Sequence, residues 1–298
     1  MSNILFEGTY AATFSIYDEN MNVKKGSVEK LINYNAKNGL QGFYVGGNTG
    51  ECTVLPNKTR KQMLEAVKEF APAGAKIMAH VGAGHLEDVE DLISHANEVG
   101  VDAIASLPPS LTSYYKAEEI VDYYKHIASL SKSPVLSYVT PVLTCDVVWF
   151  ANQIMTIENV IGLKVSIPNY YAFERLKMVN GGDINILNGP DECLVSGLAM
   201  GADGAVGTTY NLMPATAVNI YNEFKKGNIK EALKHQNRLN RLIDELAGNN
   251  IATWKAVLDV IGIDPGYTIA PAKMPDEKKI EGIIKKLAAA DCLKEMQP

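Results

Sequence analysis

A single lysine, Lys164, lies in the middle of an otherwise apolar run, residues 161–167. If the run is a β-strand, its side chains alternate, which places Gly162, Lys164 and Ser166 on one face. The apolar residues then share the other face, namely Ile161, Leu163, Val165 and Ile167. A desolvated amine favours its neutral form, and a neutral lysine attacks carbonyl carbons to give a Schiff base. The run therefore predicts a Schiff-base lysine or, as the alternative, a lysine at a strand end that extends into solvent.

Tyr138 ends the apolar run before the lysine run and begins a Tyr-x-x-Pro motif that closes at Pro141. With the period of two of a β-strand, Leu136 and Tyr138 share a face. If that face is directed into a barrel, the tyrosine hydroxyl approaches Lys164 on the next strand. A phenol beside an amine and a bound carboxylate can transfer protons, so this tyrosine is a candidate acid–base group. The alternative is a packing tyrosine, one of 14 in the chain.

A glycine-rich turn, residues 46–51, follows the second apolar run with the sequence Gly-Gly-Asn-Thr-Gly-Glu. Glycines allow backbone N–H groups to approach an anion, and Asn48 and Thr49 add side-chain donors. We therefore expect a carboxylate or a phosphate to bind here. The match to a nucleotide-binding P-loop is poor, because no Gly-Lys-Ser or Gly-Lys-Thr follows. A tight strand-to-helix turn with Glu51 near the helix start is the alternative.

Polar residues also follow the last two apolar runs. Gly189, Asp191 and Glu192 follow the seventh run, where the two acids can accept hydrogen bonds from sugar hydroxyls or interact with a helix dipole. Thr208 follows the eighth run, in a Gly-Thr-Thr-Tyr-Asn segment whose small and hydroxylated residues can line a ligand pocket. The five histidines show no metalloprotease or triad pattern, so we interpret them as structural or surface residues.

Eight short apolar runs alternate with helical patterns along the chain. The runs begin near Gly8, Gly42, Lys76, Asp102, Pro134, Val160, Asp183 and Gly204. The helical patterns between them include residues 58–70, 86–99, 117–131, 147–155, 171–178 and 192–200. Alternating strands and helices indicate a parallel sheet, and eight repeats favour a closed (β/α)8 TIM barrel over an open doubly wound sheet. Chemistry in such a barrel is found at the C-terminal ends of the strands, where the candidate residues lie.

Four further helices are predicted beyond Met213, at residues 215–226, 230–247, 251–261 and 277–290. The first completes the eighth repeat, and the others form a C-terminal helical extension. No linker-like composition interrupts the series. We therefore expect the barrel strands and helices, residues 1–213, to form a single structural unit with the last barrel helix and the extension, residues 214–298.

Composition and charge argue against several classes of protein. A net charge of −6 does not suit non-specific binding to nucleic acid or to an anionic membrane. The four cysteines form no metal-ligand spacing and no Cys-x-x-Cys pair, which indicates reduced thiols. The N-terminus lacks a basic segment followed by an apolar one, and no uncharged apolar run reaches transmembrane length. We therefore expect a cytoplasmic protein without a membrane anchor.

Taken together, these motifs resemble those of the N-acetylneuraminate lyase and dihydrodipicolinate synthase superfamily of pyruvate-dependent aldolases. The resemblance rests on residues 46–51, the Tyr-x-x-Pro motif, the Gly-Leu-Lys of the lysine run and residues 201–211, which follow the family's order and spacing. It implies that Lys164 forms an imine with C2 of pyruvate or of a cleaved 2-keto acid. It also implies that Tyr138 moves a proton between carboxylate and substrate hydroxyl, and that Asn48 and Thr49 hold the pyruvate carboxylate.

Two features resemble the lyase branch of the family more than the synthase branch. The synthase pattern has an arginine for a second carboxylate where this chain has Leu143. The lyase pattern has a Gly-x-Asp-Glu segment for the polyol and amide end of a sugar, which is matched here by Gly189, Asp191 and Glu192. The remaining hydroxyl positions of that pocket correspond to Ser166 and Thr208.

The chain departs from the family pattern at several positions. Asn48 stands where serine or threonine is usual, Ser166 where the lyase has threonine, and Thr208 where serine is frequent. The family also has paired tyrosines after the fourth strand, one of which reaches a neighbouring subunit. They correspond to Tyr114 and Tyr115 but are displaced by about two residues relative to that pattern.

The activity implied by the resemblance is reversible retro-aldol cleavage of N-acetylneuraminate to N-acetylmannosamine and pyruvate. The lysine iminium serves as the electron sink, so no metal or organic cofactor is expected. The implied assembly is a homotetramer that binds a 2-keto sugar acid and pyruvate. Two alternatives stay open: a pyruvate-lysine aldolase or dehydratase on another 2-keto-3-deoxy sugar acid, dihydrodipicolinate synthesis included, and a non-catalytic sugar-acid sensor on the same scaffold.

Overall fold

A closed barrel of parallel strands forms the centre of the computed structural model, which describes residues 2–109 and 112–296. The strands of these residues are β1 (Gly8–Ala12), β2 (Gly42–Val45), β3 (Lys76–His80), β4 (Ala103–Ser106), β5 (Val135–Val139), β6 (Val160–Val165), β7 (Asn185–Asn188) and β8 (Gly204–Gly207). Each strand pairs with the next in chain order, and β8 pairs with β1, so the sheet has no free edge. The predicted (β/α)8 barrel is confirmed.

Helices connect the strands and extend the chain beyond them. The barrel helices are α1 (Lys25–Lys37), α2 (Asn57–Phe70), α3 (Leu86–Val99), α4 (Ala117–Leu130), α5 (Val147–Ile154), α6 (Tyr170–Lys177), α7 (Leu194–Ala199) and α8 (Pro214–Lys225). The extension contains α9 (Ile229–Leu246), α10 (Ile251–Ala256), α11 (Glu277–Ala289) and α12 (Cys292–Glu295). Helix α1 was not among the predicted helices. Its apolar face is short, with Val28, Leu31 and Ile32, and the glycine and asparagines of the same segment are poor helix formers.

Two apolar layers hold these elements together, because every barrel strand is buried on both faces. Side chains such as Tyr44 and Leu136 fill the inside of the barrel. Side chains such as Phe43 and Ile104 pack between the barrel and the helices. The buried face of α9 belongs to this outer layer, so the extension packs directly on the barrel helices.

The alternation predicted for the lysine run is wrong at Ile161. This side chain belongs to the inner layer, with Tyr138, whereas Leu163 and Val165 belong to the outer layer. A regular strand would have placed Ile161 on the same side as Leu163, because two residues separate equivalent side chains.

A register shift between β5 and β6 explains the difference. Val135 pairs with Val160, but the next residue of β5, Leu136, pairs with Gly162, so that Ile161 is an extra residue in the ladder. A β-bulge of this kind re-aims the side chains on either side of it. Helices that combine the length and apolar character needed to cross a bilayer are absent from the described residues.

Candidate active site

Lys164 and Tyr138 lie side by side near the C-terminal end of the barrel. They are register partners on β6 and β5, and each is only 5% exposed. The lysine Nζ lies 4.1 Å from the centroid of the Tyr138 ring and 4.6 Å from that of Tyr44. Within the described residues, Nζ makes no hydrogen bond and no ion pair with a carboxylate. Aromatic faces therefore orient the amine, and its nitrogen is left available to a ligand.

The hydroxyl of Tyr138 contacts the loop that follows β6. Ser166 Oγ lies 3.4 Å from Tyr138 Oη, and the Ser166 N–H donates to the Val139 carbonyl at 2.8 Å. The loop after β7 closes on this serine, since the Gly189 N–H donates to the Val165 carbonyl at 2.8 Å. A Cβ atom at Gly189 would overlap Ser166 Oγ. The absence of a side chain at this glycine thus lets two loops meet beside the tyrosine.

The glycine-rich turn after β2 presents hydrogen-bond donors toward the same region. The backbone N–H groups of Asn48 and Thr49 donate to no acceptor in the described part of the chain. Thr49 is buried, and its Oγ1 lies 2.6 Å from Thr208 Oγ1 after β8. The Asn48 side chain is exposed, and its Oδ1 accepts a long contact of 3.5 Å from Cys52 Sγ. Unpaired N–H groups beside two hydroxyls suit a carboxylate.

Asp191 offers an acceptor on the other side of the site. Its carboxyl group is buried, and Oδ2 accepts hydrogen bonds of 2.7 Å from both the N–H and the hydroxyl of Thr209. Burial raises the pKa of Asp191 to about 6, although the two Thr209 hydrogen bonds act in the opposite direction. A Cβ at Gly207 would lie 2.5 Å from Oδ1 and 2.6 Å from Cζ of Tyr210, so the glycine lets the carboxyl group and this ring pack against the backbone. Oδ1 accepts no hydrogen bond from the described residues and can accept one from a ligand.

A cavity of about 400 Å³ extends from Asp191 toward the C-terminal extension. Its polar side contains Gly189, Asp191, Glu192, Thr208 and Thr209. Its opposite wall comes from α9, α10 and the segment between them, with Ile243, Asn249, Ile251 and Trp254. Acceptors on one side and an apolar wall with an indole on the other suit a sugar, whose hydroxyls and C–H groups lie on different faces. The sequence patterns did not point to the second wall.

Asn48 lines a different cavity, of about 390 Å³, together with Thr140 and Val142. Asn48 is thus separated from Asp191, Glu192 and Thr208, which line the first cavity. A larger cavity of about 480 Å³ lies outside the barrel between α9 and α12, and no predicted site residue lines it. The assignment of the site therefore rests on the chemistry of the lining groups and not on cavity size. Among residues 2–109 and 112–296, no group of three or more His, Cys, Asp or Glu side chains is arranged to hold a metal ion.

His80 is a further buried group of this region that the histidine pattern did not single out. It ends β3, and its ring lies 6.4 Å from that of Tyr138 and 6.1 Å from that of Tyr44. Its Nε2 accepts a 3.0 Å hydrogen bond from the Leu107 N–H. Burial lowers the pKa of His80 well below its usual 6.5, and the charges of Arg60 and Lys164 act in the same direction. The only sequence signal was its position at the end of a barrel strand.

Three further residues from the sequence analysis follow β5 and β4, namely Leu143 after β5, and Tyr114 and Tyr115 after β4. Leu143 is half-buried and packs against the outer apolar layer. Tyr114 is 78% exposed and Tyr115 is 45% exposed.

Comparison with known proteins points to one family. The pattern that defines the dihydrodipicolinate synthetase family matches residues 5–290 of this chain. An N-acetylneuraminate lyase of Mediterraneibacter gnavus is 32% identical over 297 residues, which cover 96% of this chain and 93% of that protein. An N-acetylneuraminate lyase of Escherichia fergusonii is 34% identical over 245 residues, which cover 80% of this chain and 81% of that protein.

A solved structure gives the same result. The sialic acid aldolase of Ruminococcus gnavus superposes with a TM-score of 0.90 at 29% identity, covering 97% of this chain and 98% of that chain. The catalytic lysine mutant of that aldolase superposes with the same TM-score and identity, covering 97% of both chains. The similarity therefore includes the C-terminal extension as well as the barrel.

Proposed function

The chain belongs to the dihydrodipicolinate synthetase family, and we propose that within it this protein is a Schiff-base aldolase that cleaves N-acetylneuraminate reversibly to N-acetylmannosamine and pyruvate. One observation carries the proposal: the Lys164 amine is buried at the barrel end, 4.1 Å from the Tyr138 ring centroid, without a carboxylate partner in the described residues. The names of the relatives, and the catalytic lysine of the Ruminococcus gnavus aldolase, support the same reaction.

Imine formation uses the lysine and the glycine-rich turn. The substrate carboxylate binds to the N–H groups of Asn48 and Thr49, which places C2 of the keto acid beside Lys164. The lone pair of Nζ attacks C2, and loss of water from the carbinolamine gives the iminium ion. The Thr49 hydroxyl adds a donor for the same carboxylate and lies 2.6 Å from the hydroxyl of Thr208. The turn thus selects 2-keto acids over simple ketones.

Cleavage uses the tyrosine. The Tyr138 oxygen, acting with the substrate carboxylate, accepts the proton of the C4 hydroxyl. The C3–C4 bond then breaks, the hydroxyl carbon becomes the aldehyde of N-acetylmannosamine, and the bonding pair moves into the iminium to give an enamine. Protonation of the enamine at C3 and hydrolysis of the imine release pyruvate and restore Lys164. The iminium accepts the electron pair, so we expect the reaction to need no cofactor.

The sugar end of the substrate lies in the cavity beside Asp191. The free Oδ1 of Asp191 and the carboxylate of Glu192 accept hydrogen bonds from sugar hydroxyls, while Thr208 and the backbone at Gly189 complete the polar side. Ser166 adds a hydroxyl next to Gly189. Leu143 supplies no cation for a second carboxylate, which supports sugar-acid cleavage over dihydrodipicolinate synthesis.

We also propose a homotetramer in the cytoplasm. The exposed Tyr114 suits a contact with another subunit, and the mass of the protein in solution tests the assembly. We further propose that residues 1–213 and 214–298 form a single structural unit, because apolar residues of both parts belong to one buried cluster.

Borohydride trapping tests the proposed chemistry. Incubation with pyruvate and borohydride should add the reduced pyruvate group to Lys164, as located by peptide mass spectrometry, and Lys164→Ala should remain unmodified. An unmodified wild-type lysine would overturn the mechanism.

A panel of 2-keto sugar acids tests the substrate. Release of N-acetylmannosamine from N-acetylneuraminate should exceed cleavage of the other acids. Trapping of pyruvate without this release would assign the enzyme to another 2-keto sugar acid. Stoichiometric binding of N-acetylneuraminate without trapping or turnover would indicate a sensor.

A further inference from the structure

A second buried lysine, Lys255 on α10, lies beneath the glycine-rich turn and takes no part in the steps above. Its side chain is 0% exposed, and Nζ lies 3.4 Å from Oε2 of Glu51, whose side chain is 4% exposed. Nζ also lies 4.1 Å from the centroid of the Tyr17 ring and donates to the Tyr267 carbonyl at 2.6 Å. Two charges buried in this way lose their hydration, and apolar residues of similar size often serve stability as well or better. A role beyond stability would explain why the pair is there.

Glu51 is the last residue of the glycine-rich turn and has an unusual backbone conformation. Its φ is +59°, in the left-handed region that residues with a side chain rarely adopt. Its N–H donates to the Asn48 carbonyl at 3.0 Å, which closes residues 48–51 into a turn. The conformation that exposes the N–H groups of Asn48 and Thr49 therefore depends on where the Glu51 carboxylate is held.

Each oxygen of that carboxylate is held by a different part of the chain. The hydroxyl of Tyr17, which follows β1, donates to Oε1 at 2.9 Å, while Lys255 approaches Oε2 from the extension. Tyr267 joins Tyr17 to Lys255, because its N–H donates to the Tyr17 carbonyl at 2.7 Å and its carbonyl accepts from Lys255. Glu51 thus ends in a closed network of three segments, which limits its movement.

We propose that Glu51 and Lys255 are positioning residues that hold the glycine-rich turn in the conformation that binds the substrate carboxylate. Lys255 is fully buried, so it acts through Glu51 and not on the substrate. The inference rests on the proposed function, because it takes the turn to be the pyruvate carboxylate site. Loss of the network should weaken pyruvate binding more than sugar binding, because Glu51 is part of the turn, whereas the sugar cavity keeps Asp191.

Two variants measured in the condensation direction test this role, since the KM values for pyruvate and N-acetylmannosamine are then separate. Lys255→Met keeps most of the side-chain volume and removes the charge. It should raise the pyruvate KM about tenfold, which corresponds to about 1.4 kcal/mol of binding energy and is the size expected for one charged hydrogen bond. Tyr17→Phe keeps the ring below Lys255 and removes only the hydroxyl, so it should raise the pyruvate KM by about threefold. The N-acetylmannosamine KM should stay close to that of the wild type in both variants.

Matched controls separate positioning from stability. Lys177→Met removes another ion pair, 2.7 Å from Asp203 and remote from the turn, and Tyr221→Phe removes the 3.1 Å hydrogen bond to the Asp203 carbonyl. Both controls should lower Tm and leave the pyruvate KM unchanged.

An unchanged pyruvate KM in Tyr17→Phe would overturn the inference, as would a parallel rise in both KM values. Tyr17→Phe alone decides the matter if Lys255→Met does not fold. A wild-type protein that fails to trap pyruvate would overturn the proposed function, whereas trapping with unchanged KM values in the variants would overturn only the positioning role.

Discussion

Replacement of Asp191 by asparagine should stabilise the protein at neutral pH and at the same time weaken sugar binding. The buried Oδ2 of Asp191 accepts two hydrogen bonds of 2.7 Å from Thr209. An amide oxygen accepts the same two bonds without burial of a charge. The second oxygen, Oδ1, becomes an NH₂ group and no longer accepts a hydrogen bond from a sugar hydroxyl. The carboxylate is therefore retained for binding at a cost in stability.

The size of that cost follows from the pKa of Asp191, which burial raises from 3.8 to about 6. Because the folded value lies above the unfolded one, the stabilising contribution of the group is complete below about pH 3.8. It is lost as the pH rises through about 6, since the unfolded state releases its proton first. At about 1.4 kcal/mol for each pKa unit, the loss at pH 7 is about 3 kcal/mol. The asparagine variant lacks this titration. Its free energy of unfolding should therefore rise relative to that of the wild type as the pH increases, by about 3 kcal/mol in all.

Urea unfolding of the wild type and Asp191→Asn at about pH 5 and about pH 8 measures roughly half of this difference, about 1.4 kcal/mol, because the unfolded carboxyl group has already released most of its protons at pH 5. The variant should gain stability relative to the wild type between the two pH values, and its KM for N-acetylmannosamine should rise. Asp203→Asn is the control, because it breaks the 2.7 Å ion pair with Lys177 and should destabilise the protein at both pH values. A loss of stability in Asp191→Asn that is equal at both pH values would refute the reasoning.

Three other substitutions have distinct expected results. Gly189→Ala places a Cβ against Ser166 Oγ, so we expect urea unfolding to show a stability loss of about 1–3 kcal/mol and kcat/KM to fall. Wild-type kinetics in this variant would show that the loops after β6 and β7 can separate. Tyr138→Phe should still form the borohydride-trapped pyruvate adduct on Lys164, but its turnover should fall about 10²–10⁴-fold. Equal losses in trapping and in turnover would argue against a proton-transfer role for the tyrosine. His80→Gln should not alter the pH profile of cleavage between about pH 5.5 and 7, because burial keeps the pKa of His80 well below 6.5. An inflection that is present in the wild type and absent from the variant would contradict this prediction.

The sequence determined the barrel and the place of Lys164 within it. Parallel strands covered on both faces are short apolar runs, and the helices between them repeat their apolar residues every three or four positions, so local order is enough to count the repeats. A polar residue at the end of such a run lies at the C-terminal face, which is why Tyr138, Thr49 and Asp191 could be assigned to one end of the barrel. The family resemblance supplied the expected role of each residue.

Only the tertiary structure decided which of these groups touch. Thr49 and Thr208 meet across the closed barrel although 159 positions separate them, and Glu51 and Lys255 pair across 204 positions. Such contacts are set by barrel closure and by the packing of the extension, which leave no period in the sequence. The bulge that turns Ile161 inward has the same origin, because the pairing of β5 with β6 sets the register. The wall of the sugar cavity that contains Trp254 likewise exists only once α10 has packed against the barrel.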